Sequence, residues 1–157
     1  MTDYNTTHRA IPAAEPTPLH TALRVIGVEH TVPEILPGSL LASRGERVWA
    51  TGSLIAMLED VTWEVIAPHV PDERALVGCG GVYEHTAPTL PGQQVRIEVY
   101  RTHVPDGDGK QRWTARAVNV DTGQQVGVLH HEVATPNRER FYRRCGRGRE
   151  ETAGDPQ

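Results

Sequence analysis

Thr51-Gly52-Ser53-Leu54-Ile55-Ala56-Met57-Leu58-Glu59, running on through Asp60-Val61-Thr62-Trp63-Glu64-Val65-Ile66, is the stretch whose periodicity decides the fold. Leu54, Leu58, Val61 and Val65 recur at steps of four, three and four, and Ile55, Thr62 and Ile66 broaden the stripe. Asp60, Glu64 and Ala67 fall on the other side. Ser53, or Thr51 before it, suits the N-cap, and Pro68 stops the helix because proline has no N–H to donate. Such a helix spans about 22 Å.

Around this helix the chain reads as extended. Leu23 to Glu29 is expected as a first strand, weakened by Gly27, and residues 32–48 as a loop with at most a short helical turn, given Pro33, Pro37, Gly38 and Gly45. Beyond Arg74, Ala75 to Tyr83, Gln94 to His103, Arg112 to Val120 and Gln125 to Ala134 read as strands. Pro105-Asp106-Gly107-Asp108-Gly109 and Asp121-Thr122-Gly123 supply turns between them. The order strand, long helix, four strands predicts an α+β fold in which an antiparallel sheet buries one face against a single helix. One helix cannot cover five strands, and an open edge invites pairing. Dimerisation through that edge would relieve both problems.

Composition narrows the function. The first twenty residues mix polar side chains with three prolines, and residues 145–157 are polar, charged and glycine-rich. Both are expected to be disordered tails, leaving one domain over residues 21–144. The net charge of −4 argues against nucleic acid as a partner. No apolar run approaches the ~20 residues of a membrane span, and no basic-then-apolar leader opens the chain, so a cytoplasmic location is expected. Cys79 and Cys145 make neither a disulfide framework nor a zinc knuckle. Cys79 reads as a small buried strand residue.

Three side chains stand where chemistry is possible. Glu59 lies at the border of the apolar stripe, between Ile66 and Trp63 on the helical wheel, where partial desolvation would make it a better base. Position alone equally suits a rim glutamate with its head in water. His85 follows a strand and precedes the turn Thr86-Ala87-Pro88-Thr89-Leu90-Pro91-Gly92, and strand-end loops collect functional side chains. It is one of eight histidines, so its residue type alone says little. Thr51 reads as a helix cap or as a hydroxyl aimed at a substrate. On one helix Thr51 and Glu59 would sit about 12 Å apart along the axis. They can meet only if the chain folds back before Gly52 or if they come from different subunits. A site completed across a dimer is the favoured arrangement.

Two other clusters are weaker. On a strand, His130 and Glu132 share one face while His131 points away, leaving at most two ligands, so no metal site is expected. The basic stretch Arg138-Glu139-Arg140-Phe141-Tyr142-Arg143-Arg144, with Arg147 and Arg149 beyond, reads as a solvated arm or as a clamp for phosphates.

Ala50-Thr51-Gly52 through Glu59, then Gly78, then His85-Thr86-Ala87-Pro88-Thr89-Leu90-Pro91-Gly92, resemble the fluoroacetyl-CoA thioesterase-like branch of the hotdog superfamily in wording and spacing. The resemblance covers roughly residues 22 to 142. It implies a homodimeric hotdog fold, an antiparallel sheet wrapped around one central helix, and hydrolysis of a small acyl-CoA or acyl-carrier thioester. It makes Thr51, Glu59 and His85 catalytic, with Glu59 as general base or nucleophile and His85 as proton carrier. It places a backbone N–H at Gly78 against the thioester oxygen. Coenzyme A enters only as part of the substrate; no separate cofactor is implied. Arg143 and Arg144 would then meet the coenzyme A phosphates. One departure bears on substrate: the family gates its site with phenylalanines before the threonine. Residues 33–47 contain no aromatic side chain here, and Phe141 is the only phenylalanine. Leu36, Leu40 and Leu41 are the expected mouth-lining residues instead. A hydratase or dehydratase of the same fold, and a non-catalytic acyl-CoA-binding protein, are the alternatives. The first needs an aspartate facing His85, and Asp60 points away.

Overall fold

The structure, a computed structural model, describes residues 16–103 and 110–146. Of the expected tails at residues 1–20 and 145–157, residues 1–15 and 147–157, with Arg147 and Arg149, lie outside the described residues, as does the Pro105–Gly109 turn. In chain order the elements are β1 (His20–Val25), α1 (Val32–Ile35), α2 (Leu40–Arg44), α3 (Thr51–Ile66), β2 (Val77–His85), β3 (Gln94–His103), β4 (Lys110–Asn119), β5 (Gln125–Ala134) and α4 (Arg138–Arg144). The strands form one antiparallel sheet in the order β1-β3-β4-β5-β2.

The long helix forms for the reason its sequence states. Leu54, Leu58, Val61, Thr62 and Ile66 of α3 are buried. They pack on alternate residues of the central strands, among them Val95, Ile97, Val99, Ala115, Ala117, Leu129 and Val133. Burial of this one stripe holds helix and sheet together, since each apolar side chain removed from water contributes about 1.5–3 kcal/mol. The opposite sheet face is polar and paired across strands: Glu98 receives Arg96, Tyr100 and Arg116, and Glu132 receives Lys110 and Arg112.

Four local expectations need correction. The first strand is His20–Val25, not Leu23–Glu29, because Gly27 breaks pairing and opens a 3-10 turn over Val28–His30, where the Gly27 N–H donates to His30 Nδ1 at 2.9 Å. His20, assigned to the tail, therefore begins β1, and with Arg24 it holds Glu64 of α3. The segment over residues 32–48 is not mainly loop: it folds into α1 and α2, the latter capped by Ser39. Cys79 is exposed rather than buried, as are its neighbours on this edge strand, and a bulge between Gly78 and Gly80 leaves it out of the ladder with β5.

The edge strand β2 is the unusual element. Its interior residues Gly78 to Glu84 are all exposed, with Val82 at 68% and Tyr83 at 50%. Among the described residues only one of its sides is hydrogen-bonded, to β5, and its other backbone side is open.

Candidate active site

α3 begins one residue earlier than a cap at Thr51 would allow. The Trp49 and Ala50 amides are fixed by the Thr89 and His30 carbonyls, at 2.8 and 2.9 Å, so Ala50 becomes the N-cap and Thr51 the first helical residue. No side chain caps this end. The expected capping role of Thr51 or Ser53 is therefore overturned, and both hydroxyls are free for other partners. Ser53 Oγ accepts from the Trp49 indole N–H at 3.3 Å, and the Thr51 hydroxyl lies 3.0 Å from His85 Nδ1. The uncapped first turn leaves backbone N–H groups, at the positive end of the helix dipole, beside that hydroxyl.

His85 closes β2 and is held by two contacts. Thr51 meets one ring nitrogen, and the Trp49 ring stands edge-on to the imidazole with centroids 6.4 Å apart. The other nitrogen, Nε2, is buried with no hydrogen-bond partner among the described residues. Burial pushes the His85 pKa below the ordinary histidine value, against a smaller opposing effect from the Ala87 backbone. The imidazole is neutral at pH 7 and able to take a proton.

Glu59 lies two turns further along α3. Thr51, Ile55 and Glu59, at steps of four, form a half-buried stripe beside β2. Glu59 lines a pocket of about 250 Å³ with Ile55, Gly78, Gly81, Tyr83 and His131. Gly78 leaves room for this approach: a Cβ at that position would fall on Glu59 Oε1, and the carboxylate would have to swing aside.

Within the chain the structure thus assembles two pairs, Thr51 with His85 and Glu59 with Gly78. It does not bring the pairs together. Eight residues of α3 separate Thr51 from Glu59, about 12 Å along the axis, and β2 runs from one pair to the other. Leu36 and Leu40 are exposed at the end of α1 and the start of α2. Neighbouring Ile35 reaches the first turn of α3, its Cδ1 3.8 Å from where a Cβ on Gly52 would stand. Arg143 and Arg144 are exposed on α4, which is anchored by Arg138 to the carbonyls of Asp72 and Arg74, near where β2 begins. Sequence reasoning missed Ile35, Ile55, Tyr83 and His131. For His131 the signal existed: it shares strand parity with Leu129 and Val133, which is the parity of the helix-facing side.

A five-stranded antiparallel sheet packed on one long helix, with a carboxylate, an imidazole and a hydroxyl strung along the helix and the edge strand, defines a hotdog-fold protein. The fluoroacetyl-CoA-specific thioesterase (FlK) family model matches residues 29–138, and the chain belongs to that family of thioester hydrolases. No curated protein matches it in sequence. Among solved structures, the fluoroacetyl-CoA thioesterase FlK superposes with a TM-score of 0.73 at 23% identity, over 86% of this chain and 98% of that one. A thioesterase superfamily member from Thermus thermophilus, TTHA0967, gives 0.70 at 19% identity, over 89% and 97%. A hot-dog-like protein from Thermanaerovibrio acidaminovorans gives 0.67 at 15%, over 90% and 95%. At these identities the structural likeness speaks for the fold. No helix among the described residues is long and apolar enough to cross a membrane.

Proposed function

We propose that the chain works as a cytoplasmic homodimer that hydrolyses a small acyl-CoA thioester, with each site built from two copies. The observation that carries this reading is the split of the site along an open edge strand. Antiparallel pairing of β2 with its copy, about the middle of the strand near Gly81 and Val82, lays the His85 end of one protomer against the Gly78 end of its partner. Thr51 and His85 then face the partner's Glu59. Pairing also satisfies the open backbone groups of β2 and covers Val82 and Tyr83.

The chemistry follows from the parts. The thioester carbonyl oxygen takes hydrogen bonds from Thr51 and from backbone N–H at Gly78 and the uncapped first turn of α3, donors that strengthen as charge builds on that oxygen. Glu59 either takes a proton from the attacking water or attacks the carbonyl itself and is then released by water. Neutral His85 takes up the proton released as water adds and passes it to the thiolate sulfur. The coenzyme A belongs to the substrate, and no further cofactor enters. Arg143 and Arg144, exposed at the Gly78 end of the sheet, are placed to meet its phosphates.

Residues 33–47, the segment before Thr51, carry no aromatic side chain. Ile35, Leu36 and Leu40 stand in the segment before Thr51, and they suit an aliphatic or branched acyl group better than fluoroacetyl. A thiol-release screen over acyl-CoA substrates of graded length, with branched, halogenated and enoyl members, tests this. Turnover is expected to peak on a small aliphatic or branched acyl group and to be lower on fluoroacetyl-CoA. Hydration of the enoyl substrate without thiol release, or tight binding with no release from any member, would overturn the hydrolase reading for this site.

A further inference from the structure

The pocket beside Glu59 holds a second imidazole that the chemistry above does not use. His131 stands on the α3-facing side of β5 and is only 5% exposed. Its Nε2 is buried with no hydrogen-bond partner among the described residues. Burial lowers its pKa to about 4, so at pH 7 the ring is neutral and offers one N–H and one lone pair. An unpaired buried polar atom is costly, and each one retained in a native structure calls for an explanation.

His131 borders two cavities: the one it shares with Glu59, and another of about 320 Å³ lined by Thr102, Arg112 and Glu132, where Glu132 is already held by Lys110 and Arg112. Gly81 lies directly opposite His131 on β2. A Cβ there would come within 3.2 Å of the His131 Cβ and 2.8 Å of the His130 carbonyl oxygen, so no side chain stands between the ring and the pocket. On the other flank Trp113 of β4 pairs with His131, with the Arg101 guanidinium 5.4 Å from the Trp113 ring centre. His130 and Glu132 turn to the opposite sheet face, where they meet Thr114 and the Lys110–Arg112 pair. Glu59 and Tyr83 are the remaining polar side chains that line the pocket.

We propose that His131 is a positioning residue for Glu59, its Nε2–H holding the carboxylate in the pocket directly or through one water molecule. This rests on the reading of Glu59 as the reacting carboxylate. The glycines at 78 and 81 then have a common purpose, since they clear the space in which carboxylate and imidazole meet.

The test compares His131→Phe, His131→Gln, Glu59→Gln and the double variant Glu59→Gln/His131→Phe as purified full-length proteins, on whichever acyl-CoA the wild type turns over fastest. His131→Phe keeps the ring volume and removes the donor. It is expected to lower kcat about tenfold, the scale of one hydrogen bond, with KM nearly unchanged. His131→Gln restores an N–H and should recover most of that loss. In the Glu59→Gln background, His131→Phe should cost nothing further, because the group it positions has already gone. Wild-type kcat in a folded His131→Phe protein would overturn the inference, as would a His131→Gln protein no better than the phenylalanine variant, or failure of both to fold, which would make His131 a core residue. Full activity in Glu59→Gln alone would instead overturn the reading of Glu59, so the two failures are distinguishable.

Discussion

Glu59→Gln is expected to lower kcat by about 10²–10⁴-fold, the range over which a positioned base contributes. The substitution keeps the shape of the side chain beside Gly78 and removes only the charge and the lone pair that chemistry needs. KM should change little, because the acyl-CoA is held by other groups and the loss falls on the transition state. The fold should be indifferent. Glu59 is half-buried at the pocket rim, and its carboxylate anchors nothing in the core, so thermal unfolding should stay within about 0.5 kcal/mol of wild type. Steady-state thiol release and a melting curve on the same preparation check both halves. Loss of activity together with loss of the fold would make the residue structural.

His85→Ala is expected to have an effect of similar size, with a signature in pH. His85 sits below the usual histidine value because burial disfavours its charged form. As the neutral ring is the competent one, wild-type kcat/KM should be full above pH 6.5 and fall as pH drops through that lowered value. The residual activity of His85→Ala should lack this limb. The same sign holds for stability: a group with a depressed folded-state value contributes fully above the unfolded value near 6.5 and loses that contribution as acid protonates it. A wild-type acid limb that persists unchanged in His85→Ala would assign it to another group.

Much of the architecture was legible because it rests on local periodicity. Steps of three and four from Leu54 to Val65 mark the helix, Gln94 to His103 alternates cleanly enough to place β3, and the Asp121-Thr122-Gly123 turn places β5 after it. The failures share a physical cause, which is that tertiary contacts decided them. The helix start moved because distant carbonyls at His30 and Thr89 fix the Trp49–Ala50 entry, a fact no cap preference contains. Cys79 is exposed because it lies on an edge strand whose interior residues are all exposed, a position no local pattern reveals. Thr51, Glu59 and His85 were legible as residues, but their grouping was not. The sequence separation of Thr51 and Glu59 showed that they cannot meet on one straight helix, and the structure adds which partner each one keeps, His85 and Gly78. His131 went unnoticed because it was weighed only as a metal ligand, and the strand parity that removed it from that role is what turns it toward Glu59.

The central claim is that each site draws Thr51 and His85 from one copy and Glu59 from the other, and mixed dimers test it most directly. Glu59→Gln and His85→Ala subunits, each nearly inactive alone, are co-expressed with different tags and assayed for thiol release. A shared site leaves one of the two sites in every mixed dimer wholly wild-type, so a random mixture should recover about a quarter of wild-type activity, and purified mixed dimers about half. A mixture no more active than its parents, with mixed dimers present, would place the whole site within one protomer and contradict the account.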